Sequence, residues 1–103
     1  MTVRSAQAHW EGSLIEGEGE VEFLNSNLGS VRVDWRSRSA ETEGRTSPEE
    51  LIAAAHSACY SMALSHALAG NGTPPATLDT KADVTFVPGT GITGIHLTVV
   101  ASV

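Results

Sequence analysis

Residues 51–69, Leu-Ile-Ala-Ala-Ala-His-Ser-Ala-Cys-Tyr-Ser-Met-Ala-Leu-Ser-His-Ala-Leu-Ala, contain no Asp, Glu, Lys or Arg. No other stretch restricts the fold as much. The residues in front of it form a strong helix start. Thr46-Ser47-Pro48-Glu49-Glu50 supplies a capping hydroxyl at Ser47, a proline suited to the first helical position, and Glu50 to close a capping box. Glu49 and Glu50 also suit the positive end of the helix dipole. The pattern predicts a helix from about Pro48 to Ala69, stopped by Gly70.

A helix that is apolar or small nearly all round is expected to be buried on most of its circumference. Its alanines and serines leave little bulk, so a second backbone can approach closely. A single sheet covers only one side of such a helix. This chain has no second long helix, so the simplest cover for the other side is the same helix from a second subunit, related by a two-fold axis.

Strands account for most of the remainder. Ala6-Gln7-Ala8-His9-Trp10 suits a short one. Gly17 to Phe23 alternates, which puts Glu18, Glu20 and Glu22 on one face. Such a carboxylate row is a solvated face that protects an edge more readily than a calcium site, whose ligands converge from a loop. Asn25 to Ser30 is a turn. Val31, Val33 and Trp35 alternate with Arg32, Asp34 and Arg36, which predicts a half-buried strand followed by a polar loop over 38–46. Leu78, Ala82, Val84 and Phe86 alternate before the turn Pro88-Gly89-Thr90-Gly91. Ile95, Leu97, Val99, Ala101 and Val103 alternate after it, giving an antiparallel hairpin. The expected fold is α+β: an antiparallel sheet packed on a long, central, buried helix, in an intertwined homodimer. The 103 residues suffice for one domain. The sequence stops inside a strand pattern, which reads as a domain incomplete at its C-terminus.

Composition excludes several function classes. The net charge of −6 argues against partners that are nucleic acids or anionic membranes. No apolar run approaches the roughly 20 residues that span a bilayer. The first residues lack the apolar stretch of a signal peptide. The single cysteine excludes an internal disulfide framework and suits a cytoplasmic protein.

That cysteine, Cys59, lies mid-helix. As a residue type it is most simply a small buried hydrophobe. A reactive thiol needs access and something to stabilise its thiolate, and a guanidinium would do so while staying charged. Arg36, Arg38 and Arg45 are the arginines nearest the helix in sequence. His56, three residues before Cys59, suggests a Cys–His nucleophile pair, although nothing obvious orients the imidazole. A metal site from His56, Cys59 and His66 lacks the paired spacing of structural zinc. His9, His66 and His96 are most simply surface or edge residues. Glu49 by itself is a helix-start charge, and Arg38 by itself a solvated loop residue.

The twenty residues Thr46-Ser47-Pro48-Glu49-Glu50-Leu51-Ile52-Ala53-Ala54-Ala55-His56-Ser57-Ala58-Cys59-Tyr60-Ser61-Met62-Ala63-Leu64-Ser65 resemble the core motif of the OsmC/Ohr family. Its members are osmotically inducible and organic-hydroperoxide-resistance proteins. Ala8-His9-Trp10-Glu11-Gly12 and the segment Trp35 to Arg38 point to the OsmC branch. The resemblance implies an OsmC-like fold and a thiol-dependent peroxidase, peroxiredoxin-like, acting in oxidative and osmotic stress defence. Its substrates would be organic hydroperoxides, with hydrogen peroxide a further possibility.

The resemblance makes Cys59 the peroxidatic nucleophile. It matches the thiolate-stabilising arginine to Arg38 at the end of the strand, with Arg36 as fallback. It gives Glu49 the task of holding that arginine in a bidentate pair. No cofactor or metal is implied. The family's second, resolving cysteine lies in a C-terminal segment that this sequence does not reach, so the oxidised Cys59 would be resolved by an external thiol or by residues beyond Val103, with an external small or protein dithiol as reductant. Glu49 and Cys59 are ten residues apart on one helix, about 15 Å along its axis and about 80° around it. They cannot touch on one helix. A long arginine spans the gap, or Glu49 of one subunit meets Cys59 of the other. Two alternatives stand beside this reading: a Cys59/His56 hydrolase, and a non-enzymatic dimeric stress or ligand-binding module with an inert, buried Cys59.

Overall fold

The computed structural model describes all residues, Met1–Val103, in two compact units, Met1–Pro48 and Glu49–Val103. In the first unit, strands β1 (Ala6–Glu11), β2 (Glu18–Phe23) and β3 (Ser30–Val33) form an antiparallel sheet in that order. The alternation of β2 decides its faces. Glu18, Glu20 and Glu22 are exposed, while Gly19 is buried and Val21 and Phe23 are half-buried. The β2–β3 turn needs left-handed backbone at Asn27 (φ 57°) and Gly29 (φ 81°), the residue types that tolerate it. Gly19 answers a different demand. It lies between Trp10 on β1 and Val33 on β3, and a Cβ there would come 2.6 Å from the indole.

A short helix α1 (Trp35–Ser39) follows β3 directly. Trp35 and Arg36 are therefore helical, not the end of an alternating strand, and Arg38 sits on a helix rather than at a strand end. The cause is Asp34. Its backbone is extended, and its Oδ1 accepts the Ser37 N–H at 2.8 Å, a helix N-cap. The cap outcompetes an alternation that extends only to Trp35.

The second unit holds nearly all of helix α2 (Pro48–Gly70) and the hairpin of β4 (Thr77–Val87) and β5 (Gly91–Ser102). The hairpin register pairs Leu78 with Ala101, Thr80 with Val99, Ala82 with Leu97 and Val84 with Ile95, and a bulge at Thr85/Phe86 shifts it near the turn. The alternate residues of both strands thus share one face, as their pattern requires. On α2, Ser57, Ser61, Leu64, Ser65 and Leu68 are half-buried at helical spacing. Ser57, Ala58 and Ser61 line a groove with Leu78, Thr80, Thr98 and Val100. Ser61 Oγ lies 2.8 Å from the Ser57 carbonyl and 2.7 Å from Thr80 Oγ1. With one proton to give, it donates to the carbonyl and accepts from the Thr80 hydroxyl. The helix runs one residue past Ala69, and Gly72 rather than Gly70 is the left-handed glycine at its end. Gly72, at φ 81°, donates to the Ala69 carbonyl, and Thr73 N–H donates to Leu68 O.

The architecture is α+β with antiparallel sheets and a long helix. One expectation needs correction: the strands form two separate sheets, three-stranded and two-stranded, rather than one. Within the single chain the helix is not buried. Glu49 is its only buried residue, and no apolar side chain anywhere in the chain is buried. One hairpin lies along one side of α2 in its unit, so Ile52, Tyr60 and Met62 remain open, Met62 at 74% exposure. The uncharged stretch 51–69 does not supply its own cover. No helix is long and apolar enough to cross a membrane.

Candidate active site

Cys59 stands in the middle of α2 and is exposed. Within the single chain the thiol is therefore not a packing residue and is open to oxidants. Its position follows from the helix start. Pro48, Glu49 and Glu50 set the first turn, and the Ala-rich run carries the helix on without a break through Cys59. His56 precedes it by nearly one turn and is also exposed. No group of three or more His, Cys, Asp or Glu side chains has metal-binding spacing, and His66 is exposed further along the helix.

Glu49 is 6% exposed in the first turn of α2. Ten residues of continuous helix separate it from Cys59, about 15 Å of axial rise. The two are therefore not brought together within one helix, as the spacing requires.

In the first unit, α1 carries both candidate arginines. Arg36 is exposed and donates to Glu43 Oε1 at 3.1 Å, an ion pair at the surface. Arg38 is half-buried. The lesser exposure favours Arg38 over Arg36 for an electrostatic task, since charges act more strongly away from water.

Sequence reasoning missed a charged network at the foot of α1. Arg45 Nη1 reaches Glu18 Oε2 at 2.8 Å and Asp34 Oδ2 at 3.3 Å. Glu18 Oε1 accepts from Arg32 Nη2 at 2.7 Å. These cations and hydrogen bonds depress both carboxyl groups. Glu18 is held below its ordinary range first by the Arg45 hydrogen bond and then by the Arg32 charge. Asp34 is held low chiefly by hydrogen bonds from Ser37, with Arg45 assisting. The signal for the cap was present in Asp34-x-x-Ser37, an Asp placed three residues before a residue whose N–H it can accept. Arg45 had no such local signal, because Glu18 is 27 residues away.

The Cys59 helix and its start lie within a stretch that matches a protein family. A family model described as OsmC-like protein matches residues 40–103, a span that begins after α1 and takes in all of α2, β4 and β5. Peroxiredoxin OsmC of Escherichia coli (strain K12) is 45% identical over 87 residues, covering 84% of this chain and 60% of that protein. Peroxiredoxin OsmC of Shigella flexneri matches with the same identity and coverage. The chain spans about three fifths of the length of these curated relatives. A family model that covers the whole of α2 and both strands of the hairpin, together with 45% identity over 84% of the chain, places the chain in the OsmC-like family.

Proposed function

We propose that the chain is a cysteine-based peroxidase that reduces organic hydroperoxides, with Cys59 as nucleophile. The observation that carries this is the exposure of Cys59 on α2, in a family whose matched relatives are named peroxiredoxins. The Cys59 thiolate attacks one peroxide oxygen. The O–O bond breaks, sulfur gives up two electrons, and the alkoxide leaves and takes a proton to become the alcohol. Cys59 is left as a sulfenic acid. A second thiol, from an external reductant or from residues beyond Val103, condenses with it, releasing water and forming a disulfide. A dithiol reductant then exchanges with that disulfide, frees Cys59 and is itself left as a disulfide.

Arg38 stabilises the thiolate and polarises the peroxide, and Glu49 holds the guanidinium. The half-buried position of Arg38 and the burial of Glu49 support these roles. The chain works as a homodimer, with Glu49 of one subunit serving Cys59 of the other. Support comes from the separation of the two along α2 and from the open Ile52, Tyr60 and Met62. The setting is oxidative and osmotic stress defence in the cytoplasm, with a dithiol as electron donor.

The test is intact mass after brief exposure to cumene hydroperoxide. One added oxygen is expected in the parent chain, none in Cys59→Ser, and slow addition in Arg38→Ala. Fast addition in Arg38→Ala and slow addition in Arg36→Ala moves the role to Arg36. No addition in the parent refutes the peroxidase. A rate that survives in Arg38→Ala and Arg36→Ala but is lost in His56→Gln points to the Cys–His pair instead.

A further inference from the structure

We propose that Arg45 is the positioning residue for Arg38, which it sets in place through Asp34 and helix α1. The proposal rests on the peroxidase reading and on Arg38's part in it. Helix α1 has five residues, too few to hold itself together in water. What keeps it in place must come from tethers. At its C-terminal end, Ala40 N–H donates to Arg36 O and Ser39 Oγ to Trp35 O, both at 2.8 Å, and both bonds lie within the α1 segment. At its start, Asp34 divides its carboxylate between two tasks. Oδ1 holds the Ser37 N–H, and Oδ2 faces Arg45 at 3.3 Å.

Arg45 ties that carboxylate to the sheet. The same Nη1 lies 2.8 Å from Glu18 Oε2 on β2, and Glu18 Oε1 is taken by Arg32 on β3. Arg45 thus stands between two carboxylates that would otherwise repel. Its own backbone is anchored at the next residue. Thr46 N–H donates to Arg32 O at 2.8 Å, and Thr46 bridges Val33 in parallel. The guanidinium is delivered from a fixed point, sits at 30% exposure, and meets an Asp34 at 20%. Arg36 makes its bridge to Glu43 in the open, with both side chains more than 60% exposed, and has no such link to the sheet. Arg45 is thereby the link that joins the cap of α1, four residues before Arg38, to the sheet.

The test is the rate of Cys59 oxidation by cumene hydroperoxide, with folding checked by circular dichroism. Arg45→Met is expected to slow oxidation about tenfold, since a misplacement of ~1 Å can cost as much as a hundredfold. Arg45→Lys, whose Nζ ends one bond short of the place of Nη1 and so meets the two carboxylates less closely, falls between. Arg32→Met, which touches Glu18 but not Asp34, stays within about twofold of the parent, as expected for an exposed ion pair. The decisive comparison is a double-mutant cycle: Arg45→Met has no further effect once Arg38 is Ala.

A folded Arg45→Met at the parent rate overturns the proposal. So does a slowing that persists undiminished in the Arg38→Ala background. If Arg45→Met does not fold, Arg45→Lys carries the same cycle. An intermediate rate that vanishes with Arg38 supports the proposal, and a parent-like rate overturns it. Two further outcomes also overturn it while separating the causes. A parent chain that does not oxidise refutes the peroxidase, whereas an Arg38→Ala chain at full rate refutes only the arginine.

Discussion

Gly19→Ala and Gly94→Ala are the same chemical change in two strands, and the structure predicts opposite signs for them. Neither glycine has a left-handed backbone, so conformational strain enters neither case. At Gly19 a Cβ would lie 2.6 Å from Trp10 Cε3, 3.1 Å from the His9 carbonyl and 3.1 Å from Val33 Cγ2. The ring and the strand β1 backbone must both yield. Overpacking of this kind costs about 1–3 kcal/mol, and the reduced freedom of the unfolded chain returns about 0.4–1 kcal/mol. A net loss of about 1–2 kcal/mol corresponds to a melting temperature roughly 4–16 °C lower in a domain of this size. At Gly94 nothing lies within 4 Å of the built Cβ. Only the entropic gain remains there, and the melting temperature should rise by a few degrees, on the order of 0.4–1 kcal/mol. Thermal unfolding followed by circular dichroism, at one protein concentration, reads both. A neutral or stabilised Gly19→Ala would show that Trp10 and Val33 do not close on this glycine. The described sheet would then be wrong at its centre.

Three further outcomes are expected. The depressed carboxyls of Glu18 and Asp34 stabilise the folded chain above their ordinary range, and that contribution is lost as pH falls through the lowered values. The melting deficit of Arg45→Met should therefore be constant from about pH 7 to 5 and shrink below about pH 4, and a deficit unchanged at pH 3 would refute the network. Ser61→Ala leaves the half-buried Thr80 hydroxyl without its acceptor at 2.7 Å, and denaturant unfolding should register a loss of about 0.5–1.5 kcal/mol. Met62→Asp places a charge on the open side of α2, where Met62 is 74% exposed. If that side is covered by a second copy, sedimentation should show dimer dissociation raised at least thirtyfold, from about 1–2 kcal/mol lost per subunit, and an unchanged equilibrium would place the interface elsewhere.

How much was legible depended on how far each signal reached along the chain. Helix α2 was readable to within a residue at each end because Pro48 and Gly70 mark its limits locally. The hairpin was readable because Leu78 to Phe86 and Ile95 to Ala101 each alternate within one strand and need only the Pro88–Gly91 turn between them. Trp35 and Arg36 at the start of the Trp35–Ser39 helix read as strand because alternation from Val31 was followed past Asp34, whose cap ends it, and Arg38 and Ser39 read as loop because they are polar. The cover of α2 is not completed within one chain, for a different reason. The uncharged stretch 51–69 shows that cover is tolerated, and the covering surface is not encoded in the helix itself. At the candidate site, Cys59, Glu49 and Arg38 came from a resemblance carried by contiguous residues. Arg45 was passed over because its partners Glu18 and Asp34 converge only when β2 and the 39–46 segment meet.

The open α2 has a thermodynamic consequence. A chain with no apolar side chain fully withdrawn from water draws little free energy from the hydrophobic effect by itself. Whatever covers Ile52, Tyr60 and Met62 binds the folded form and not the unfolded one, so it enters the folding equilibrium as a ligand does. If the cover is another copy of the chain, the unfolding midpoint climbs with protein concentration. Dilution then acts as a denaturant, and folded protein accumulates faster than in proportion to the amount synthesised.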